Sequence, residues 1–347
     1  MKNGKLLIAI VNSSSFGVSF PEHLNALSAF ADLIRVEMPK GSQPAEFHAR
    51  LAGVDGIVAS VTPPYTREVL AGLPELKLLA RHGVGCDNVD IPTCNELGIV
   101  VSRVGPHVEP ESVAQMTLGL INAAARQIVT GWTMVKAGQW ARRATIPLGV
   151  DLNGATVGLV GIGAIGKTVS RILALGYGAN VIAYDPYVDA DVVAARHARK
   201  VGFGELLAKS AVISLHCPLT HETLRMFGGP ELAAMNDGVI LVNTCRGEIF
   251  DQAALIEALT IGKVGGYSTD VVEGEPIGAD HVLLATPRVI VTPHLGGYSV
   301  VSLRGMGQTM VDDMRRVFVE GTYPEFIANP DVDLGTSRIA RMRAKAR

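Results

Sequence analysis

A glycine-rich turn between an apolar strand and a helix constrains this chain more than any other feature. The apolar run 155–160 leads into Gly161-Ile162-Gly163-Ala164-Ile165-Gly166, and a helical pattern continues to about Leu175. The first glycine permits a tight turn, the second lets backbone approach a pyrophosphate, and the third lets helix pack on strand. N–H groups at the helix N-terminus favour that anion. The turn predicts a dinucleotide site contacted by Gly161, Gly163, Ala164, Ile165 and Gly166.

The strand after this turn supports the interpretation. Asn180 to Tyr184 reads as a strand and is followed by Asp185, 19 positions beyond Gly166, where an acid about 20 residues on is expected to bind the ribose. A carboxylate there accepts hydrogen bonds from both ribose hydroxyls but repels a 2′-phosphate, and the following Pro186 and Tyr187 bring no positive charge. NAD is therefore favoured over NADP. The alternative is a glycine-rich turn followed by a helix-capping aspartate.

Short apolar segments separated by helical patterns recur through the second half of the chain. Seven of them predict strands, at 155–160, 180–184, 198–201, 211–215, 238–243, 264–268 and 289–291. Such alternation is typical of one doubly wound parallel sheet. We expect this Rossmann-type NAD-binding domain to cover residues 105–294.

The first hundred residues show a similar alternation, which predicts a second α/β domain. Its expected strands and helices are 6–11, 22–32 (helical), 56–59, 66–70 (helical), 76–80 and 99–102, followed by one connector helix from about Glu109 to Gly138. After His294 only a helical run of about 300–320 remains, and we expect it to pack on the N-terminal domain. The predicted fold class is therefore α/β, with two doubly wound parallel-sheet domains and a cleft between them. The flavodoxin-like domain would be discontinuous, comprising residues 1–104 and 295–347.

Composition excludes several classes of function. The 347 residues carry 31 Lys and Arg against 33 Asp and Glu, a balance that favours neither a nucleic-acid partner nor disorder. No apolar segment reaches the roughly 20 residues of a membrane span, and the short apolar N-terminus reads as a strand rather than a signal peptide. The four cysteines lack metal-ligand spacing, so we expect no metal, reduced thiols and a cytoplasmic protein. The basic tail reads as a solvated, frayed terminus, with Arg338, Arg341, Arg343, Lys345 and Arg347.

Six motifs in a fixed order carry a family resemblance. They are Arg81-His82-Gly83-Val84-Gly85-Cys86-Asp87-Asn88-Val89-Asp90, the glycine turn, His216-Cys217-Pro218-Leu219-Thr220, Asn243-Thr244-Cys245-Arg246-Gly247, Asp270-Val271 with Glu275-Pro276, and Pro293-His294-Leu295-Gly296-Gly297. The chain resembles the D-isomer-specific 2-hydroxyacid dehydrogenases, including the phosphoglycerate dehydrogenase-like members, from about Leu6 to Asn329. The resemblance makes the discontinuous domain the substrate domain.

The resemblance implies three catalytic residues. Arg246 would hold the substrate carboxylate and carbonyl, His294 would be the general acid and base, and Glu275 would orient His294. Their chemistry fits, because a guanidinium presents a planar fork to a carboxylate and an imidazole moves protons near neutral pH. Alternatively, the three would be a surface salt bridge, a packing histidine and an exposed loop acid. Glu rather than Gln at 275 argues against the related formate dehydrogenases.

Other site residues are implied in the same way. Asp270 would hydrogen-bond the nicotinamide carboxamide, although a capping aspartate is the alternative, and the backbone of Val84 and Gly85 would bind the substrate carboxylate in a loop held by Asn88. Arg246 and His294 would also contact the cofactor. Its remaining contacts would be His216, Cys217, Pro218, Thr223, Thr244, Cys245 and Gly296.

The expected activity is NAD-dependent hydride transfer to or from the alpha carbon of a small D-2-hydroxy or 2-keto acid. The resemblance also implies a homodimer, formed through residues 109–138. One alternative is 3-phosphoglycerate dehydrogenase. Arg81 matches a phosphate-side arginine of that group, but Ser60 stands where the group tends to carry another arginine, and its C-terminal regulatory domain is not expected here. The alternative from another class is an NAD(H)-sensing protein resembling transcriptional corepressors.

Overall fold

The computed structural model describes residues 6–346 and divides the chain into two compact units. The first unit comprises residues 6–109 and 300–346, and the second unit comprises Pro110–Ser299. Each unit contains one sheet, and every strand pairing in both sheets is parallel. The predicted class, α/β with two parallel-sheet domains, is confirmed.

The first unit has a five-stranded sheet in the order β2-β1-β3-β4-β5. Its strands are β1 (Leu6–Val11), β2 (Ala31–Val36), β3 (Gly56–Ala59), β4 (Leu78–Arg81) and β5 (Val100–Arg103). Its helices, numbered along the whole chain, are α1 (Glu22–Ser28), α2 (Pro44–Arg50), α3 (Arg67–Ala71), α4 (Ile91–Leu97), α13 (Val300–Phe318) and α14 (Arg338–Ala346). The apolar face of α13 packs into the core beside β1, β3 and β4 through Leu303, Met306, Met310, Met314 and Val317.

The second unit has a seven-stranded sheet in the order β12-β11-β10-β9-β6-β7-β8. Its strands are β6 (Thr156–Val160), β7 (Asn180–Tyr184), β8 (Arg199–Lys200), β9 (Val212–Leu215), β10 (Val239–Asn243), β11 (Val264–Thr269) and β12 (Val289–Val291). Its helices are α5 (Pro110–Ala125), α6 (Ile128–Lys136), α7 (Ala164–Tyr177), α8 (Ala190–Ala195), α9 (Phe203–Lys209), α10 (Gly229–Ala234), α11 (Gln252–Thr260) and α12 (Val282–Ala285), with 3₁₀ turns at Trp140–Thr145 and Gly247–Ile249. All seven predicted strands are present.

Helices cover both faces of the second sheet, which explains why its strands read as nearly continuous apolar runs. In β6, Val157 and Leu159 point into the core on one face, whereas Val160 belongs to the core on the other. Alternate side chains of a strand point to opposite faces, so both cores are needed to bury them.

Strand β2 was missed by the sequence analysis, which extended the first helix to Asp32. The helix ends at Ser28, and β2 pairs with β1 from Ala31 onwards. Strand β2 is the edge of its sheet and includes the charged Asp32 and Arg35. Because an edge strand is exposed to solvent on one side, it tolerates charges that interrupt the apolar run.

The single connector helix predicted from Glu109 to Gly138 is also wrong. Two helices occupy this stretch, since α5 ends at Ala125 and α6 begins at Ile128. Gln127 lies between them with φ of +53°. A left-handed residue cannot continue the α-helical hydrogen-bond ladder, so the chain restarts in a new direction.

The basic tail is ordered over most of its length, contrary to the prediction of a frayed terminus. Ile339 is fully buried in the core of the first unit. The guanidinium of Arg338 donates to the carbonyls of Leu97, Leu73 and Leu76 at 2.9, 2.6 and 2.9 Å. These bonds satisfy carbonyls at the end of α4 and in the segment between α3 and β4. Arg347 and the Lys345 side chain lie outside the described part of the chain.

Candidate active site

Six neighbouring strands of the second unit end at residues that the sequence analysis singled out. Because the strands are parallel, their carboxyl ends lie at one edge of the sheet, where doubly wound proteins bind ligands. In the order of the sheet, the residues that follow β12, β11, β10, β9, β6 and β7 are His294, Asp270, Arg246, His216, Gly161 and Asp185.

The glycine turn has the geometry of an anion-binding loop. Gly161 adopts φ of +92°, and a Cβ atom there would lie 2.7 Å from the carbonyl carbon of His216. A Cβ atom at Gly166 would lie 2.4 Å from the Gly161 oxygen, whereas none of the described atoms lies within 4 Å of a Cβ at Gly163. Gly163 is the N-cap residue of α7, and because glycine has no side chain, it provides no side-chain oxygen to cap the N–H groups at the start of this helix. The first turn of α7, which includes Ala164 and Ile165, is therefore accessible to a phosphate.

Asp185 is held beside this turn. Its Oδ2 accepts a hydrogen bond from the Ile162 N–H at 3.0 Å, and its Oδ1 accepts one from the Tyr187 N–H at 3.0 Å. On the other side of the same residue, Arg196 donates to the Ile162 carbonyl at 2.5 Å. These bonds fix the Asp185 carboxylate at the end of β7, next to the glycine turn.

His294 and Glu275 form a hydrogen-bonded pair. The His294 Nδ1 lies 2.5 Å from the Glu275 Oε1, and the Glu275 Oε2 accepts a bond from the Val272 N–H at 3.1 Å. Burial opposes ionisation of Glu275, but the hydrogen bond and charge of His294, the Val272 N–H and the Arg246 charge together lower its pKa. Within residues 6–346 no group hydrogen-bonds the His294 Nε2, so this nitrogen is available to a ligand.

Asp270 organises the turn that carries His294. Its Oδ1 accepts bonds from the Thr292 hydroxyl at 2.5 Å and the Leu295 N–H at 2.8 Å, and its Oδ2 accepts one from the Gly296 N–H at 2.6 Å. The Asp270 carbonyl accepts the His294 N–H at 2.9 Å. Asp270 is 2% exposed. The carboxylate therefore holds the turn around His294, which the sequence analysis did not foresee.

Arg246 is placed by the buried Asn243 at the end of β10. The Asn243 amide donates to the Arg246 carbonyl at 2.8 Å, while its oxygen accepts the Cys245 N–H at 2.9 Å. A Cβ atom at Gly247 would lie 2.0 Å from the backbone nitrogen of Glu273. This close packing keeps Arg246 near the segment that carries Glu275, and it agrees with the effect of Arg246 on the pKa of that acid.

The remaining predicted cofactor residues lie on the loops after β9 and β10. Burial lowers the pKa of His216 to about 3 and raises that of Cys217 to about 11. His216 is thus neutral, and Cys217 remains a thiol rather than a nucleophile at neutral pH. The Thr223 hydroxyl donates to the Pro218 carbonyl at 2.7 Å, and Thr244 shares a hydrogen bond of 2.9 Å with the buried Thr117 of α5. Cys245 donates from Sγ to the Leu215 carbonyl at 2.9 Å.

Val84 and Gly85 lie in the first unit, just after β4, and both are half-buried. Asn88 donates to the carbonyls of Ser60 and Pro63 at 3.1 and 3.0 Å, so it ties this loop to the loop after β3. The contact of Val84 and Gly85 with a substrate stays a prediction.

Three polar residues of the site were not found from the sequence. Thr292 bonds Asp270, Thr117 bonds Thr244, and the Tyr187 hydroxyl donates to Glu222. None of them belongs to a spacing pattern with a chemical meaning. Their partners are distant in sequence, so only the arrangement of the loops reveals them.

The fold and this edge of the sheet define a dinucleotide-binding protein of the Rossmann type, with an imidazole–carboxylate pair at the same sheet edge as the glycine turn. Residues 118–296 match the family model described as D-isomer specific 2-hydroxyacid dehydrogenase, NAD binding domain. The chain belongs to this family, which confirms the resemblance drawn from its motifs, and its second unit contains the family's NAD-binding domain.

The chain is also similar to curated proteins and to solved structures that are named as dehydrogenases or reductases. The chain is 34% identical over 313 residues to the D-3-phosphoglycerate dehydrogenase of Methanocaldococcus jannaschii, covering 90% of this chain but 59% of that relative. It is 35% identical over 285 residues to the glyoxylate reductase of Korarchaeum cryptofilum, covering 82% of this chain and 85% of the relative. D-lactate dehydrogenase from Aquifex aeolicus, solved with NAD and lactic acid, superposes with a TM-score of 0.80 at 30% identity over 93% of this chain and 99% of that chain.

Two further properties of the described residues bear on function. No helix within them combines the length and apolar character needed to cross a membrane. Among the same residues, no group of three or more His, Cys, Asp or Glu side chains is arranged to hold a metal ion.

Proposed function

We propose that this protein is an NAD-dependent D-2-hydroxyacid dehydrogenase that interconverts a small 2-hydroxy acid and its 2-keto acid. The observation that carries the proposal is the His294–Glu275 pair. It lies within electrostatic reach of Arg246, at the sheet edge that also carries the glycine turn.

The residues present fit an NAD cofactor. Space around Gly163 and the uncapped start of α7 suit the pyrophosphate, and the fixed Asp185 carboxylate suits the ribose hydroxyls. Bound NAD supplies the nicotinamide ring that accepts or gives up the hydride. Thr244, Cys245 and the other predicted contacts on the loops after β9 and β10 would complete this site.

His294 would move the proton that accompanies the redox step. Glu275 occupies Nδ1, so Nε2 is the ring nitrogen that takes a proton from a substrate hydroxyl or returns it to a keto oxygen. The carboxylate stabilises the protonated ring and holds its orientation. A proton acceptor with fixed orientation lowers the barrier in either direction.

Arg246 would bind the substrate. Its guanidinium can donate paired hydrogen bonds to a carboxylate, each contributing about 1.5–3 kcal/mol. The same charge stabilises the electron density that accumulates on a keto oxygen during reduction. Asn243 fixes the Arg246 backbone, and the guanidinium donates to the Cys245 carbonyl at 2.6 Å, so little further ordering is needed to present this charge.

A panel of substrates tests the activity. We expect NADH-dependent reduction of 2-keto acids such as glyoxylate and pyruvate, and NAD-dependent oxidation of D-lactate. L-lactate serves as the matched control because it differs from D-lactate only in configuration. Oxidation of L-lactate at an equal or higher rate would contradict the stereochemical assignment, and no turnover with any acid would contradict the enzyme itself.

The second candidate is 3-phosphoglycerate oxidation, which is favoured by the identity with the phosphoglycerate dehydrogenase named above. Arg81 gives it little support, because this residue is 3% exposed and donates to the His82 carbonyl at 2.8 Å. A guanidinium turned inward does not receive a phosphate. Adding 3-phosphoglycerate with NAD to the same panel decides between the two candidate substrates, because a marked preference for 3-phosphoglycerate would make it the first candidate. The NAD(H)-sensing alternative is not favoured, since the relatives named above carry enzyme names.

We propose that the protein is a homodimer and that it resides in the cytoplasm. The dimer is supported by α6, which exposes Ile128, Trp132 and Val135 on one face and has no buried residue. The cytoplasmic location is supported by four cysteines that are all free.

A further inference from the structure

Two loops beside the glycine turn are joined by a side-chain contact. The Tyr187 hydroxyl, on the loop after β7, donates a hydrogen bond to Glu222, on the loop after β9. Strand β6 lies between β9 and β7 in the sheet. The contact therefore links the loops on the two sides of the glycine turn.

This contact joins a second carboxylate, Glu222, to the tyrosine whose backbone N–H binds Asp185. Asp185 accepts the Tyr187 N–H, and Glu222 accepts the Tyr187 hydroxyl, so one tyrosine connects both acids. Both acids influence the Tyr187 phenol, since hydrogen bonding and charge from Glu222, together with the Asp185 charge, raise its pKa. Tyr187 itself is 78% exposed, which leaves this end of the site open to solvent.

We propose that Glu222 is a second specificity-determining residue that acts with Asp185 to exclude a 2′-phosphate and so selects NAD over NADP. The inference rests on the proposed cofactor site and deepens it. A 2′-phosphate carries a charge of about −1.5 to −2 at neutral pH. Placed near the ribose-binding Asp185, it would also meet the charge of Glu222, and both acids would disfavour it.

A cation also lies at this end of the site. Arg196 donates to the carbonyl of Ile162, whose N–H binds Asp185, and it keeps its positive charge in that bond. It offsets part of the repulsion of a 2′-phosphate, so the charge balance beside the ribose depends on the two acids against Arg196. An exposed site screens charge, so the contribution of Glu222 is moderate and depends on salt.

Calorimetric binding of ADP-ribose and 2′-phospho-ADP-ribose tests the proposal without turnover. In 20 mM salt, we expect Glu222→Gln to reduce the ratio of the affinity for ADP-ribose to the affinity for 2′-phospho-ADP-ribose about 3- to 10-fold. Asp185→Asn should reduce this affinity ratio further, and the double variant should reduce it most. Glu257→Gln is the matched control, because it removes the same charge from the exposed surface of α11. In 0.5 M NaCl the effect of Glu222→Gln should shrink.

The outcomes separate this inference from the proposed function. Binding of ADP-ribose with a preference unchanged by Glu222→Gln overturns the role of Glu222 and leaves the cofactor site intact. Failure of the wild-type protein to bind either ligand overturns the cofactor site, and the inference with it. An equal change in Glu257→Gln would show that only net charge matters, which also overturns the role of Glu222.

Discussion

His294 combines a reactive ring with an unusual backbone. Its φ is +55°, in the left-handed region that side chains other than glycine seldom adopt. The Asp270 carbonyl and the turn around it hold this conformation, while Glu275 holds the ring. Strained residues of this kind persist where surrounding bonds determine the backbone, and they are common at functional sites.

Replacement of His294 by Asn tests its proposed role as acid and base. Asn tolerates a left-handed backbone, so the variant should fold, but it cannot exchange a proton near neutral pH. We expect kcat/KM for the preferred keto acid to fall about 10²- to 10⁴-fold, measured by NADH oxidation. NADH affinity, followed by its fluorescence, should stay near the wild-type value.

The chain offers a closely matched control for this variant. His197 is also a left-handed histidine, with φ of +61°, and it follows α8 away from the strand ends that carry the site. His197→Asn should leave kcat/KM unchanged. Comparable rates for His294→Asn and the wild type would remove His294 from the mechanism.

Single residues with strong chemical meaning were predictable from the sequence. The glycine turn, Asp185 and the Glu275–His294 pair stand in motifs whose spacing or family pattern predicts a function, and the structure brings Glu275 and His294 together. Tyr187 and Glu222 were not predictable as partners, because 35 residues separate them. A contact of that kind depends on the final path of two loops, which local sequence does not encode.

The turn after β12 depends on one buried carboxylate. Asp270 accepts three hydrogen bonds from this turn, and the shortest comes from the Thr292 hydroxyl at 2.5 Å. The resemblance assigned Asp270 to the nicotinamide carboxamide, and that role stays a prediction. The observed bonds give it a positioning role for His294.

Thr292→Val removes the hydroxyl and preserves the shape of the side chain. Because a buried hydrogen bond to a charged group contributes about 1.5–3 kcal/mol, we expect a loss of that order in the free energy of unfolding. The catalytic rate should also fall, since the His294 turn loses one support. Urea unfolding and kcat are the measurements. Thr260→Val is the control, because the Thr260 hydroxyl donates to the neutral Ile256 carbonyl at the exposed end of α11. Equal stability losses in the two variants would contradict the special position of Thr292.

Helix α13 carries a buried acid whose ionisation affects stability. Asp313 is 2% exposed, and burial raises its pKa to about 6, although Ser102 and the Glu325 backbone oppose that shift. The unfolded chain, with the ordinary value of 3.8, ionises first as pH rises. Between these values the unfolded state binds fewer protons, so stability falls with rising pH. The total loss is about 3 kcal/mol.

Asp313→Asn should abolish this dependence, because an amide does not titrate. We expect the wild-type protein to lose stability between pH 4 and 6 relative to the variant, with the difference constant above that window. Urea unfolding followed at several pH values measures it. Parallel pH profiles for the two proteins would contradict the assignment to Asp313. Asp312→Asn, on the same helix but exposed, is the control.

The elements were predictable where apolar runs are long. The five inner strands of the second sheet were found because their apolar residues are buried in the cores on the two faces of that sheet, whereas β2 was missed because it is an edge strand that carries charges. The break between α5 and α6 depends on the left-handed conformation of Gln127. No glycine or proline at this position indicates the break in the sequence. Helix α14 was missed because four of its nine residues are basic, although Ile339 is fully buried.

At the scale of the whole molecule, α6 is the feature that a single chain leaves unexplained. Ile128, Trp132 and Val135 recur with helical spacing on one face, and Trp132 is 60% exposed. A net charge of −2 does little to keep copies apart. Apolar side chains clustered on one exposed face mark an interaction surface, and a second copy of the chain is the occupant that we propose.

Trp132→Glu tests this surface. A carboxylate buried in a dimer interface without a partner is costly, so the variant should dissociate while each chain remains folded. Light scattering after size exclusion should give about twice the chain mass of 36.6 kDa for the wild type and the single mass for the variant. Leu175→Glu places the same charge on another exposed apolar residue, on α7, and should leave the dimer intact. If the wild type has the mass of one chain, or if Trp132→Glu stays dimeric, α6 is not the interface.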